Sequence, residues 1–259
     1  GGVEILSFDF DETDEKLRGS VRLQRDVLPV PLFLGSGLNR SGFHSVTTEY
    51  TYRDRLFNGT LGFQNVQRAY GVVLTSPNIT ITRDPLRPGI IFNYQAGIQR
   101  INANIQADRQ EELLPPIGER ENSRATLTRY QIAGRVWRPF TVWQGVALPA
   151  TPDEGLRYTP SPVLPYIAIV PSVSGVASFY SSGDTQPVLT GELTILGQFG
   201  HFSRPFFDYF GFNATYRRST EGSESPFDFD RFVDREVFSA GVTAQIFGPI
   251  RLGFRTSIN

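Results

Sequence analysis

Residues 188–218 read VLTGELTILGQFGHFSRPFFDYFGFNATYRR, and a period of two runs through them. Leu189, Gly191, Leu193, Ile195, Gly197 and Phe199 fall on one parity, and Thr190, Glu192, Thr194 and Gln198 on the other. After a break at 201–205 the alternation resumes, with Phe210, Phe212, Ala214 and Tyr216 opposed by Asn213, Thr215 and Arg217. Successive side chains of a strand point to opposite faces, so the spacing predicts two half-apolar strands joined by a turn, with His201 an ordinary turn residue. Each run is about ten residues, the length that crosses a bilayer core as a tilted strand, whereas soluble strands are more often about five or six. Glu192, Gln198, Asn213 and Arg217 suit a wet lumen, and the apolar parity then belongs to lipid.

A chain of 259 residues supplies one large all-β domain or two smaller ones. A net charge of −1 gives no general attraction to nucleic acid. No run of about 18 apolar residues predicts a membrane-spanning helix. The mean hydropathy of −0.21 is compatible with a barrel, in which lipid-facing and lumen-facing residues alternate. Cysteine is absent, which removes disulfides, thiolate metal sites and a cysteine nucleophile. Methionine is absent even at position 1 and no signal peptide opens the chain, so it reads as a mature or excised segment. Lys16 is the single lysine and the other basic residues are arginine, whose fork of donors fits carboxylate and phosphate. A GC-rich genome produces the same bias with no functional meaning.

The rest of the chain repeats the pattern. Residues 3–10 and 16–25 read as a hairpin around an acidic turn at 11–15, and Pro29 and Pro31 make 27–37 an edge, a kink or a connector. Residues 43–53 and 57–64 suggest a second hairpin, linked tightly at Asp54, Arg55 and Leu56. Strands follow at 70–75 and 79–82. Within 90–108 the apolar parity changes, from Ile90, Phe92, Tyr94, Ala96 and Ile98 to Ile101, Ala103, Ile105 and Ala107, which predicts a β-bulge or tight turn near Gln99 and Arg100. Loops are expected at 109–123, 149–164 and 219–235. Strands are expected at 124–136, 140–148, 165–181, 236–247 and 250–258. The total is about 12–15 strands, with short turns and longer loops alternating imperfectly.

Catalytic chemistry finds little support. His44 and His201 are the only imidazoles, too few without cysteine for a zinc site of the usual kind, and no G-x-S-x-G elbow is present. Asp9, Asp11, Asp14 and Glu15 fail the calcium-loop pattern, because Asp14 and Ser20 stand where it needs glycine and glutamate. Asp228, Asp230 and Asp234 read as a solvated loop. No phosphate-binding or dinucleotide fingerprint appears. The chain is therefore expected to have no enzymatic activity, no cofactor and no metal. The positions of interest lie on the polar parity: Arg217, Arg251, Arg255 and Glu192 are candidates for luminal contact with the phosphate or carboxylate of an anionic lipid or solute. The alternative is that they pair with one another to satisfy a wet lumen.

GQFGHFSRPFFDYFGFNATY, followed by FDFDRFVDREVFSAGVTAQIFGPIRLGFRTSIN, resembles a cyanobacterial outer-membrane family regarded as the counterpart of the lipopolysaccharide-assembly barrel LptD. RLQRDVLPVPLF and RSGFHSVTTEYTYRDRLFNGTLGFQNV are similar to its upstream part, so the resemblance covers most of the chain. It implies a transmembrane antiparallel β-barrel, or part of one, over 36–259. Residues 1–35 would be the end of a periplasmic jelly-roll or the first hairpin. It implies export of lipopolysaccharide or another anionic glycolipid to the outer leaflet of the outer membrane, through a lumen and a lateral opening between strands. A lipoprotein plug and periplasmic bridge proteins would be the partners, and Pro29 and Pro31 would weaken the seam between jelly-roll and barrel. A full barrel of that kind has about 26 strands, more than this chain supplies, so further strands are expected after TSIN. Two other readings stay open: a passive porin-like channel, and a soluble all-β carbohydrate-binding or hydrolytic domain.

Overall fold

Alternation repeated along the chain produces, among the described residues, one sheet of fourteen strands. The computed structural model describes residues 2–11, 16–58, 62–87, 89–119, 122–145, 165–203, 207–230, 235–246 and 250–258. The strands are β1 (Gly2–Asp11), β2 (Lys16–Pro31), β3 (Phe33–Leu34), β4 (Ser41–Asn58), β5 (Gly62–Thr75), β6 (Ile79–Ile81) and β7 (Ile90–Asn104). They continue as β8 (Arg124–Trp137), β9 (Phe140–Gln144), β10 (Tyr166–Tyr180), β11 (Thr185–Ser203), β12 (Phe207–Glu221), β13 (Arg235–Ile246) and β14 (Ile250–Ile258). The hydrogen-bonded order is β1-β2-β4-β5-β7-β8-β10-β11-β12-β13-β14, an antiparallel meander. The short β3 pairs in parallel with β6, β6 also borders β7, and β9 borders β10. Among the described residues no ladder joins β1 to β14, so the sheet has two edges. Among the described residues the one α-helix, α1 (Gln110–Leu113), lies between β7 and β8.

Several strands are far longer than the usual five or six residues: β4 has 18 and β11 has 19. Two expected turns are absorbed by this length. Asp54, Arg55 and Leu56 lie inside β4, paired with Val66, Asn65 and Gln64 of β5; β4 runs on to Asn58 and β5 begins at Gly62. His201 lies inside β11, which runs on to Ser203. In both cases polar residues suggested a turn where the strand simply continues past its apolar stretch. Asp11, expected to open the acidic turn at 11–15, ends β1; residues 12–15 and the loop expected at 149–164 lie outside the described residues.

The parity change in 90–108 has another cause than a bulge. The ladder between β7 and β8 is unbroken from Ile91 opposite Trp137 to Asn104 opposite Arg124. The irregularity sits in the neighbouring strand, between Val66 and Arg68 of β5. Paired residues of an antiparallel ladder share a face. Ile90, Phe92, Tyr94, Ala96 and Ile98 belong to one face, and Ile101, Ala103 and Ile105 to the other. The second group is covered by the segment after β12, which folds back over that face. Phe227 forms a β-bridge with Ile105, and both are fully buried. Ile101, Ala103, Ile105, Tyr180 and Phe227 form a core cluster, with Leu113, Leu127 and Phe229 packed against it. Gln106 ties the segment down through its backbone N–H to Pro226 O (3.0 Å) and its side-chain amide to Ser225 O (2.6 Å). The sheet thus keeps a conventional apolar core at one end of one face.

Candidate functional site

Elsewhere burial is inverted relative to a water-soluble sheet. Seven hydrophobic residues are buried among the described ones, and five of them form the cluster just described. Ser172, Ser178, Gln186, Ser219 and Gln245 are buried, whereas Ile132, Val173, Leu189, Leu252, Phe254 and Ile258 are each more than half exposed. Register shows that this is a property of faces. Ile98 pairs with Tyr130, and Tyr130 with Phe179. Pro171, Leu193, Tyr216, Phe238 and Ile258 form a continuous row across five strands, as do Ile167, Gly197, Phe212, Val242 and Phe254. We call this the apolar face. It carries aromatic residues towards both strand ends: Tyr50, Tyr70, Tyr130 and Phe179 at one, and Trp143, Phe199, Phe210 and Phe212 at the other, where Trp143 packs on Phe199 at 5.8 Å.

The opposite face carries cross-strand hydrogen bonds between side chains. Thr194 meets Thr215 at 3.0 Å and Thr190 meets Ser219 at 2.8 Å, both cross-strand pairs in register. The facial division expected for 188–218 therefore holds residue by residue: Leu193, Ile195, Gly197 and Phe199 stand opposite Tyr216, Ala214, Phe212 and Phe210.

The four luminal candidates all lie on the polar face. Glu192 stands opposite Arg217 in register, and its carboxylate pairs with Arg135 (Nη2–Oε1 3.0 Å), which also donates to Ser172 Oγ at 3.2 Å. Arg217 is exposed. Arg255 pairs with Gly241, which stands opposite Asn213, and Arg251 pairs with the buried Gln245. Both are exposed on the edge strand β14. Glu192, Arg217 and Arg135 are thus brought together, while Arg251 and Arg255 lie two strands further on.

Sequence reasoning missed the densest polar cluster. Asp230, expected in a solvated loop, accepts from Arg129 (2.7 Å) and Tyr180 (2.6 Å), and its backbone oxygen accepts from Gln186 (2.7 Å). Arg129 also donates to Gln99 (2.5 Å), and Gln186 to Glu221 (2.6 Å). These contacts fasten the 222–230 segment over the end of the polar face. The phase change in 90–108 was the signal that something must cover Ile101 and Ile105.

Pro29 and Pro31 lie in β2, opposite Phe43 and Ser41 of β4, after a register irregularity that begins at Asp26. The ladder from β1 ends at Gln24, so among the described residues β2 has no partner on this side here, the position where proline is tolerated. His44 crosses the weakened zone. Its Nδ1 lies 3.1 Å from Leu28 O on β2, and its Nε2 lies 2.5 Å from Tyr94 Oη on β7.

A family model described as "Protein of unknown function (DUF3769)" matches residues 1–259. No curated protein matches the chain. No solved structure matches it either.

Proposed function

We propose, from the premise that this chain belongs to the DUF3769 family, that it forms the wall of an outer-membrane β-barrel. Its polar face would pass an anionic glycolipid of the lipopolysaccharide class to the outer leaflet. The observation that carries the reading is the inverted burial: serine and glutamine inside, leucine, isoleucine and phenylalanine exposed in continuous rows. A monomer in water rarely exposes contiguous apolar area beyond a few hundred Å², whereas a barrel in lipid presents such a band with aromatic residues at its borders. The polar face offers arginine and carboxylate groups to a sugar-phosphate head. The proline-weakened edge at Pro29 and Pro31 supplies a seam for acyl chains, and the bonded 222–230 segment narrows one end.

The test is photocrosslinking from within a living outer membrane. Crosslinkers at Glu192 and Arg217 are expected to form adducts with newly made glycolipid. No adduct, together with size-selective conductance of the purified chain in planar bilayers, would assign it instead as a passive channel.

A further inference from the structure

On β5, β7 and β8 the apolar face ends in a patch unlike the rest of the sheet. Along β7 the outward residues run Ile90, Phe92, Tyr94, Ala96 and Ile98, and then change to Arg100, Asn102 and Asn104. Along β5 they run Leu74, Val72 and Tyr70, then Arg68. Along β8 they run Val136, Gly134, Ile132 and Tyr130, then Thr128 and Thr126. Register places Tyr70, Arg100 and Thr128 in one row, and Arg68, Asn102 and Thr126 in the next. Arg68 and Arg100 are diagonal neighbours, about 7–8 Å apart at their backbones. Both are exposed, and neither belongs to an ion pair among the described residues. Two like charges at this spacing repel, and an anion seated between them would turn that repulsion into attraction.

Beside this pair, on the same face, is a shallow apolar cavity of about 230 Å³ lined by residues that include Leu23, Thr48, Tyr50, Tyr70 and Val72. Tyr70 belongs to both features: it walls the cavity and stands in register with Arg100. A free phosphate would use the arginines and leave the cavity unfilled. A hydrocarbon chain alone would fill the cavity and leave the arginines unrelieved.

We propose that this patch is a binding site for one phospholipid whose headgroup carries a net negative charge. The phosphate lies between Arg68 and Arg100, with Asn102, Thr126 and Thr128 as further donors, and an acyl chain runs along Tyr70 into the Leu23–Val72 cavity. The site rests on the reading that the apolar face meets hydrocarbon. It is distinct from the polar face, and it orients the sheet: the strand ends nearest 59–61 and 105–123 lie in the leaflet that carries anionic headgroups.

The experiment uses the whole chain extracted in detergent and titrated with phosphatidylglycerol or phosphatidylcholine of identical acyl chains, with bound lipid counted by native mass spectrometry. Two arginines near a headgroup at about 1 kcal/mol each correspond to a preference for phosphatidylglycerol of about thirtyfold. Arg68→Gln with Arg100→Gln should abolish that preference, and each single substitution should reduce it about fivefold. Tyr70→Ala should weaken retention of both lipids. Equal retention of the two lipids by the unsubstituted chain overturns the site. Displacement of phosphatidylglycerol by millimolar inorganic phosphate overturns it too, reducing it to an anion contact. The underlying membrane reading fails separately: the chain would then stay soluble without detergent and show no heat-dependent migration on a denaturing gel.

Discussion

Leu193→Arg separates water from lipid on the apolar face. Leu193 lies midway along the outward apolar run of β11, between Pro171 of β10 and Tyr216 of β12, and is 43% exposed. About half of its side chain is therefore covered by protein. Full burial of a leucine contributes about 1.5–3 kcal/mol, so the packing lost on substitution is about 1 kcal/mol, partly replaced by the arginine stem. In water the variant should cost no more than that. Against hydrocarbon, an arginine near the midplane adds roughly 2–4 kcal/mol, a shift of roughly thirtyfold to several-hundredfold in the folding equilibrium. Thr194→Arg is the matched control on the polar face. It loses the Thr194–Thr215 hydrogen bond, a net change of about 1 kcal/mol, and places its charge in a hydrated space. The assay is reversible urea unfolding in lipid vesicles, read by the fraction of chain that keeps folded gel mobility without boiling. The expected order is Leu193→Arg much worse than Thr194→Arg. Equal losses would refute the assignment of faces.

Phe227→Ala should destabilise the covered end by about 3–5 kcal/mol, because a fully buried ring is replaced by a cavity; the unfolding midpoint in urea checks this. Asp230→Ala leaves Arg129 and Tyr180 to find other acceptors, while the backbone oxygen that accepts from Gln186 remains. It should raise protease cleavage within 222–234 while the strands stay protected, as limited proteolysis with mass mapping would show. His44→Ala removes a link between β2 and β7 and leaves Leu28 O to water or to nothing, at a cost of about 1–3 kcal/mol. Its signature is faster amide hydrogen exchange in 25–30 with no change in β10–β13.

Faces were legible in the sequence because a strand's period of two is local: Leu193 and Thr194 declare their sides without reference to any partner. Register and strand ends were less so. Asp54 and His201 have turn-like neighbours, yet long strands carry polar residues through once they pass the apolar band. The covered end was illegible for a different reason. Ile101 and Ile105 are buried by Phe227, more than a hundred residues away, and period-two reading cannot see a segment that folds back over a sheet. It could register only that the parity had changed. Asp230 was hidden by the same distance, since an acidic loop residue becomes a bonded one only when Arg129 and Tyr180 are brought beneath it. Arg135, the partner of Glu192, lies two strands away from it in the sheet and three from Arg217, and only the sheet order reveals it.

The most direct measurement exploits the absence of cysteine from the chain. Single cysteines placed at successive positions from 189 to 195 on β11, each carrying a nitroxide label, can be scanned in lipid vesicles for collisions with oxygen and with a water-soluble nickel chelate. Oxygen accessibility should peak at 189, 191, 193 and 195, and nickel accessibility at 190, 192 and 194. Nickel accessibility that peaks at the odd positions, or no alternation at all, would show that the exposed leucines meet water and that the sheet is not a membrane wall.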